Sequence, residues 1–427
     1  MIRALCFLAP LSALSSLAPA APAQPLTPAQ KAAGWVALFD GSSTDAWRGF
    51  RADAFPARGW SIEDGTLKCA GGGGDLITRA QFADFELELE WKAAPRANSG
   101  IMFRVAETLD TTWQTGPEFQ ILDDFGYGAA PTDMHAAGSL YDLAAPSGDK
   151  VLRPAGEFNH ARIVLHNGRL RHWLNGVLVA QCRTDDASWT DRIAASKFKD
   201  YPGFGLQPRG HIALQDHGDT LWFRNIRIRD LDAPMPGEIN LLSDPTLANW
   251  TAFVPDLSAG HRDPKSIWKV RDGILVCSGS PAGYLRTNAP FDRFVLRLEW
   301  RFLPDAPGNS GVLFHIEGED KVWPACLEAQ LHSGSAGDII NIGNLPLSPD
   351  PARTQGRRTA KTAHAEHPVG EWNEYEIIVD DDALTLFVNH ALLNHATGVV
   401  PRSGPVALQS EGVEIHFRNI RIAPINP

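Results

Sequence analysis

The chain has 427 residues, more than a single hydrophobic core usually organises, and its 44% hydrophobic and 21% charged residues describe ordinary globular material for two domains. A formal net charge of −11 excludes the broad basic face that a binder of nucleic-acid backbone needs, and no Lys/Arg run of the required length appears. No segment approaches the roughly 20 consecutive apolar residues of a membrane span.

The first element in chain order is an address. Arg3 supplies a positive start, residues 5–17 are apolar apart from Pro10 and serines, and small residues satisfy an A-x-A pattern at 18–20 and again at 21–23. Residues 1–23 therefore read as a signal peptide, and the mature protein is expected to be periplasmic or secreted. Cys6 lies before the core of the apolar stretch instead of after it, which does not fit a lipoprotein. Cleavage leaves Cys69, Cys182, Cys277 and Cys326. An even count in an oxidising compartment permits disulfides, but only Cys69 and Cys277 occupy matching points of the repeat below, so buried thiols are the favoured reading. No CxxC pair supports zinc.

From residue 60 onwards the chain repeats itself in order. WSIEDGTLKC at 60–69 returns as WKVRDGILVC at 268–277, FELELEW at 85–91 as FVLRLEW at 294–300, and NSGIMF at 98–103 as NSGVLF at 309–314. PAGEFN at 154–159 returns as PVGEWN at 368–373, ALQ at 213–215 as ALQ at 407–409, and FRNIRI at 223–228 as FRNIRI at 417–422. The first copy carries an extra segment between 184 and 207. This is domain duplication, giving domains at 26–232 and 238–427, with Pro234 and Pro236 breaking regular structure at the junction.

Within each copy strand follows strand. FELELEW alternates apolar and acidic residues, as a strand with one buried face does, and the Asn-Gly pairs at 167–168 and 175–176 mark tight hairpins. Long amphipathic helices are missing. The fold class is all-β, a sandwich or jelly roll in each copy.

Alternation also assigns side chains to faces. Ile101 and Phe103 point one way and Met102 and Arg104 the other; Phe119 and Ile121 oppose Glu118 and Gln120; Ile212 and Leu214 oppose Ala213, Gln215 and His217. If these segments are neighbours, they build a polar sheet surface carrying a cation, a carboxylate, amides and an imidazole, a mixture suited to a polyhydroxylated ligand, to proton transfer or to a metal. The plainer reading is that the outer face of an antiparallel sheet is polar because water is there. His135 and His172 are further candidates, each ordinary when taken alone. Trp113, Trp173 and Trp222 are candidates for stacking on sugar rings, with at least one of them core.

The string GHIALQDHG at 210–218, followed by WFRNIRI at 222–228, closely resembles the closing motif of the 3-keto-disaccharide hydrolase family. LFDG at 38–41, NSG at 98–100, PEFQILD at 117–123, GSLYD at 138–142 and SKF at 196–198 match in the family's order, over about residues 34–232. The second copy resembles a variant of the family over about 238–425. The resemblance implies a concanavalin A-like jelly-roll sandwich in each copy and cleavage of glycosides already oxidised to a ketone at C3.

A C3 ketone acidifies the C2 proton, so a base can remove it and expel the C1 substituent. Such a site needs a base, a stabiliser for the enolate oxygen and a proton for the leaving oxygen. The resemblance points to Glu118 or His217 as base, Arg104 or a metal as oxyanion stabiliser, and Tyr141 or Asp123 as proton donor or ligand. It adds Asn98, Gln120, Asp142, Gln215 and Asp216 as substrate contacts, and Trp173 joins them as an aromatic candidate for stacking on the sugar. In the second copy Arg104, Asp123, Asp216 and His217 become His315, Ser333, Ser410 and Glu411, while Glu118, Gln120 and Gln215 persist as Glu328, Gln330 and Gln409. His315, Glu328, Gln330, His332, Asp338 and Glu411 form its own candidate set. The substrate implies a separate oxidoreductase that supplies the ketone. No ligand spacing commits the chain to a metal, and a noncatalytic lectin-like protein on the same fold is the alternative.

Overall fold

The computed structural model describes residues 24–255, 263–400 and 402–425; the leader expected at 1–23 lies outside them. The first copy begins with β1 (Val36–Phe39), β2 (Trp47–Gly49), β3 (Trp60–Glu63), β4 (Thr66–Cys69), β5 (Leu76–Thr78) and β6 (Phe85–Ala93). It continues through β7 (Asn98–Val105), β8 (Glu118–Leu122), β9 (Asn159–His166), β10 (Arg169–Leu174), β11 (Val177–Arg183), β12 (His211–Leu214) and β13 (Leu221–Asp230). They form an eight-stranded sheet, β11-β10-β9-β6-β13-β4-β3 with β1 added beside β13, and a five-stranded sheet, β2-β5-β12-β7-β8. Pairing is antiparallel throughout.

The two sheets close on one core, in which Leu87, Leu89 and Trp91 of β6 meet Ile101, Phe103, Phe119 and Ile121 of β7 and β8. The Asn-Gly hairpins form with both residues at positive φ, Asn167 at 49° and Gly168 at 70°, Asn175 at 47° and Gly176 at 82°. The second copy repeats the plan with a nine-stranded and an eight-stranded sheet around its own core. All four cysteines are free thiols; Cys182 is half-buried and the others are buried.

The extra segment of the first copy folds as helix Ala187–Ala195 and a 3-10 turn, Lys197–Asp200. Asp186 caps the helix by accepting from Ser188 N, and buried Trp189 donates Nε1 to Gly205 O at 3.0 Å. Phe198 stacks on Phe204 at 3.9 Å, and Gly205 N bonds Thr115 O at 2.9 Å, fixing the segment against the end of the five-stranded sheet.

The acidic face of β6 departs from the sequence expectation. Alternation puts Glu86 opposite the core, yet it is 2% exposed, because the large sheets of the two copies pack outer face against outer face. Arg162 and Arg229 donate to Glu86 at 2.6 and 2.8 Å, and Arg229 also reaches Glu376 of the second copy at 2.6 Å. Arg297 completes the cluster on Glu376 at 2.6 Å. Burial opposes ionisation of Glu86, but Arg162 and Arg229 outweigh it and hold its carboxyl well below the usual range. The layers thus run small sheet, large sheet, large sheet, small sheet.

Candidate functional site

The small sheet of the first copy turns one face to the core and the other outward, and Glu118 of β8 stands on the outward face. A Cβ on Gly100 of β7 would collide with the Glu118 carboxylate, so glycine there is what allows the acid to lie flat across the neighbouring strand. Glu118 is 6% exposed, not at water as a solvated sheet face would have it. Burial pushes its pKa up to about 8; the Lys197 ammonium pulls it down somewhat and the Asp75 charge adds to the rise.

Lys197 reaches this acid from the extra segment. Its ammonium lies 4.2 Å from the ring centre of Tyr141 and 5.5 Å from that of Trp113. Asp142 sets its position, accepting from Lys197 N at 2.8 Å while taking a hydrogen bond from His135 Nε2 at 3.0 Å. Tyr141 is tied to the same strand through its N–H to Glu118 O, and burial and then the nearby Glu118 charge raise its phenol pKa. Lys197, Tyr141 and Trp113 form one wall beside Glu118.

The opposite rim is a relay of amides. Gln120 donates to Asn98 Oδ1 at 3.1 Å, Asn98 Nδ2 lies 3.4 Å from His217 Nε2, and the carbonyl oxygen of the Gln120 side chain is buried with no partner. His217 is exposed and close enough to lower the pKa of Asp75, which burial raises. Gln215 is half-buried at the end of β12, and its backbone bonds Gly100 and Ser99. Glu118, Gln120, Asn98, Gln215, His217 and Tyr141 are therefore brought to one surface.

Other candidates are placed elsewhere. Arg104 has φ 52° at a bulge, where β7 slips register against β12, and its guanidinium turns to Ala83 O and Asp84 at the start of β6. Asp123 accepts from Arg96 N at 2.7 Å and closes a turn. Asp216 holds the glycine loop through Gly73 N and Gly74 N at 2.6 and 2.9 Å. Trp173 lies between the copies, with the Arg162 guanidinium 4.5 Å from its ring centre. His172 is core, between Phe103 and Phe119, with burial pushing its pKa down to about 4. The faces read from alternation did not reveal Asp75 or the role of Lys197, whose signal was the SKF match at 196–198 within a segment the second copy lacks.

In the second copy Glu328 lies over Gly311 as Glu118 lies over Gly100, and burial, then the charge of Glu411, push its pKa up to about 8. Gln409 is buried with both amide atoms unpartnered. The wall is different. Ile340 pairs with Glu328 where Tyr141 meets Glu118, the segment carrying Lys197 is missing from the repeat, and the nearby cation is Arg357, which lowers the pKa of Glu328 somewhat. Asp338 is a structural acid, accepting from Arg358 Nε at 2.6 Å and Lys361 N at 2.8 Å. Gln330 caps its own turn, accepting from Leu331 N and His332 N at 2.8 Å each. His315 repeats the bulge of Arg104, at φ 53°, and donates to Asp292 O at 3.0 Å. Glu411 remains at the site, bridged to Asn309.

The model of a family described as the 3-keto-alpha-glucoside-1,2-lyase-like domain matches the chain twice, over residues 34–229 and 237–423. A 3-keto-disaccharide hydrolase of Bacteroides thetaiotaomicron is 35% identical over 233 residues, 47% of this chain and 80% of that protein. Among solved structures, a Parabacteroides distasonis protein described provisionally as a glycosyl hydrolase is 30% identical, with a TM-score of 0.46 over 49% of this chain and 99% of its own. A second such protein from the same organism is 29% identical, with a TM-score of 0.37 over 46% of this chain and 99% of its own.

Proposed function

Because the chain belongs to the 3-keto-alpha-glucoside-1,2-lyase-like family along both of its copies, we propose that it is an exported enzyme that cleaves 3-keto-glycosides, with turnover confined to the first copy. The observation that carries this reading is Glu118, a buried acid with a pKa of about 8 beside an ammonium and a phenol. A base with that pKa is basic enough to take a proton from carbon, and it is about one-tenth ionised at pH 7, becoming mostly carboxylate only above pH 8.

The steps follow from the substrate. Glu118 removes the proton at C2, which the C3 ketone has made acidic. Lys197 stabilises the enolate oxygen, the task that Arg104 does not reach. The C1–O bond then breaks, C1=C2 forms, and Tyr141 gives its proton to the departing oxygen. Addition of water across the enone completes hydrolysis; without it the enzyme is a lyase. Gln120, Asn98 and His217 offer donors and acceptors to the ring hydroxyls. A separate oxidoreductase supplies the ketone, since an unoxidised sugar leaves no stabilised carbanion at C2.

The second copy favours the noncatalytic alternative. It retains the buried acid and unpartnered amides of a saccharide site but has Ile340 in place of the phenol, and the cation near its acid, Arg357, comes from a different segment than Lys197. Incubation with native and 3-keto disaccharides is the test: cleavage of the keto form, slowed by deuterium at C2, supports elimination, whereas equal cleavage of the native sugar rules it out.

A further inference from the structure

Between the two copies, far in sequence from either sheet site, three side chains converge whose chemistry the proposed reaction does not use. His166 ends β9 of the first copy, while Glu374 and His390 belong to the second. Their ligand atoms all lie within 4.8 Å of one another, and they are the only such group of three among the described residues. Glu374 Oε2 is 3.0 Å from His390 Nε2 and 3.4 Å from His166 Nε2, spacings close to those between adjacent ligands on an ion bound at about 2.0–2.1 Å.

The surroundings fit a ligand set better than an ordinary ion pair. His390 Nε2 is buried, and the carboxylate it faces is that of Glu374 at 3.0 Å. On the far side of each ring a carboxylate faces Nδ1, Asp84 at 3.3 Å from His166 and Glu86 at 3.6 Å from His390, the outer partners that orient metal-binding imidazoles. Asn167 Nδ2 lies 2.9 Å from His166 Nε2 and turns aside when that nitrogen takes an ion. All three side chains line a cavity of about 420 Å³, which gives an ion and a water room to enter.

The backbone supplies an independent observation. The hairpin Asn175-Gly176 of the first copy corresponds to Asn389-His390 in the second, and His390 adopts φ 65° where the first copy has glycine at 82°. A histidine in the left-handed region is strained, and strain of this kind collects where a side chain has a task. The turn is tied to Glu374, whose N–H donates to Asn389 Oδ1 at 2.9 Å. The ligand-bearing turn and the ligand-bearing strand are thus held as one piece, facing His166 across the interface.

We propose that His166, Glu374 and His390 bind a divalent first-row transition ion, zinc being the type that two imidazoles and one carboxylate suit, and that this ion clips the two copies together. Water fills the fourth position.

The experiment is calorimetric titration of Zn²⁺ into the chelator-stripped full-length protein. One ion per chain is expected at this site, with a rise in Tm. His390→Gly removes a ligand and relieves the positive φ but also takes the imidazole from Glu86 and Glu374, so the variant, its fold checked by circular dichroism, should lose both the stoichiometric binding and the Tm response to Zn²⁺. Glu374→Gln should lose them too. Co²⁺ loaded into the parent should give the visible absorption of a four-coordinate site, absent in His390→Gly. Zn²⁺ binding that is missing in the parent, or that survives both substitutions unchanged, overturns the proposal.

Discussion

The carboxylate of Glu118 occupies the space that a side chain at Gly100 would fill, and Glu328 stands to Gly311 in the same relation. In each copy a glycine on one strand makes room for an acid on the next. The acid is thereby removed from water without being given a hydrogen-bond partner among the described residues, and its proton affinity rises.

The folded-state pKa of Glu118, about 8, lies above its ordinary value of 4.5. The stability it contributes is therefore full below pH 4.5 and is lost as pH rises towards 8, at up to about 1.4 kcal/mol for each pH unit of difference. Glu118→Gln cannot ionise. Its Tm should match the parent near pH 4 and exceed it increasingly from pH 5 to 8, while turnover disappears. Thermal unfolding across that range checks both sign and window; a variant equally destabilised at every pH would show that the carboxylate is structural.

If Glu118 is the base, kcat/KM for a 3-keto disaccharide should climb with pH and level off above an apparent pKa near 8. Activity that instead falls through that value would assign Glu118 the role of acid.

Lys197→Met should lower kcat by about 10²–10³, the usual effect of losing one donor at a developing oxyanion. Because the ammonium lowers the pKa of Glu118, the same substitution should move the pH-rate limb upward. A loss of rate with no displacement of the limb would separate Lys197 from Glu118. Tyr141→Phe should slow cleavage most for substrates with poor leaving groups.

Glu328→Gln should leave turnover of small keto-disaccharides unchanged and weaken retention on immobilised saccharide. If it abolishes turnover, the catalytic assignment to the first copy is wrong.

Arg229 serves two buried carboxylates, Glu86 and Glu376, one in each copy. Arg229→Met should cost about 3–5 kcal/mol, since it removes one of the two guanidinium partners of each buried carboxylate and leaves Arg162 and Arg297 to hold them alone. Phe119→Ala, which empties a fully buried position in the core, should cost a similar 3–5 kcal/mol without touching the interface. Denaturant unfolding of both variants, with a probe in each copy, distinguishes them: the first should loosen both copies and the second mainly its own. Fragments 26–232 and 237–427 are expected to fold alone, with proteolysis of the intact chain beginning near 234–237.

Much of the sheet pattern was legible because period-two alternation decides which residues share a face. FELELEW correctly puts Leu87 and Leu89 in the core and the glutamates opposite. Alternation does not say what covers the opposite face, so the burial of Glu86 against a second large sheet was invisible. It also fails across a bulge: Arg104 follows Met102 by two residues, but its positive φ swings it to Asp84. Lys197 carried a family motif without a role, because its side chain enters the site from a helical insertion that no strand periodicity describes. Trp173 is aromatic and partly accessible from the groove, the properties of a sugar platform, yet it serves the contact between the copies.

The back-to-back order of the layers points the two outer faces in opposite directions. With sheets stacked about 10 Å apart, roughly 30 Å of protein separates them. No disaccharide bridges that thickness, and a product leaving one face must diffuse around the molecule to meet the other. Handing a sugar from copy to copy is therefore ruled out by shape, and what remains is bridging. On the proposed division of labour, a glycan held on the far side would anchor the protein while the near side meets different chains, and the cleaving face would work at the local concentration set by its neighbour's grip. Where substrate is dilute, that grip would decide how often the protein finds work.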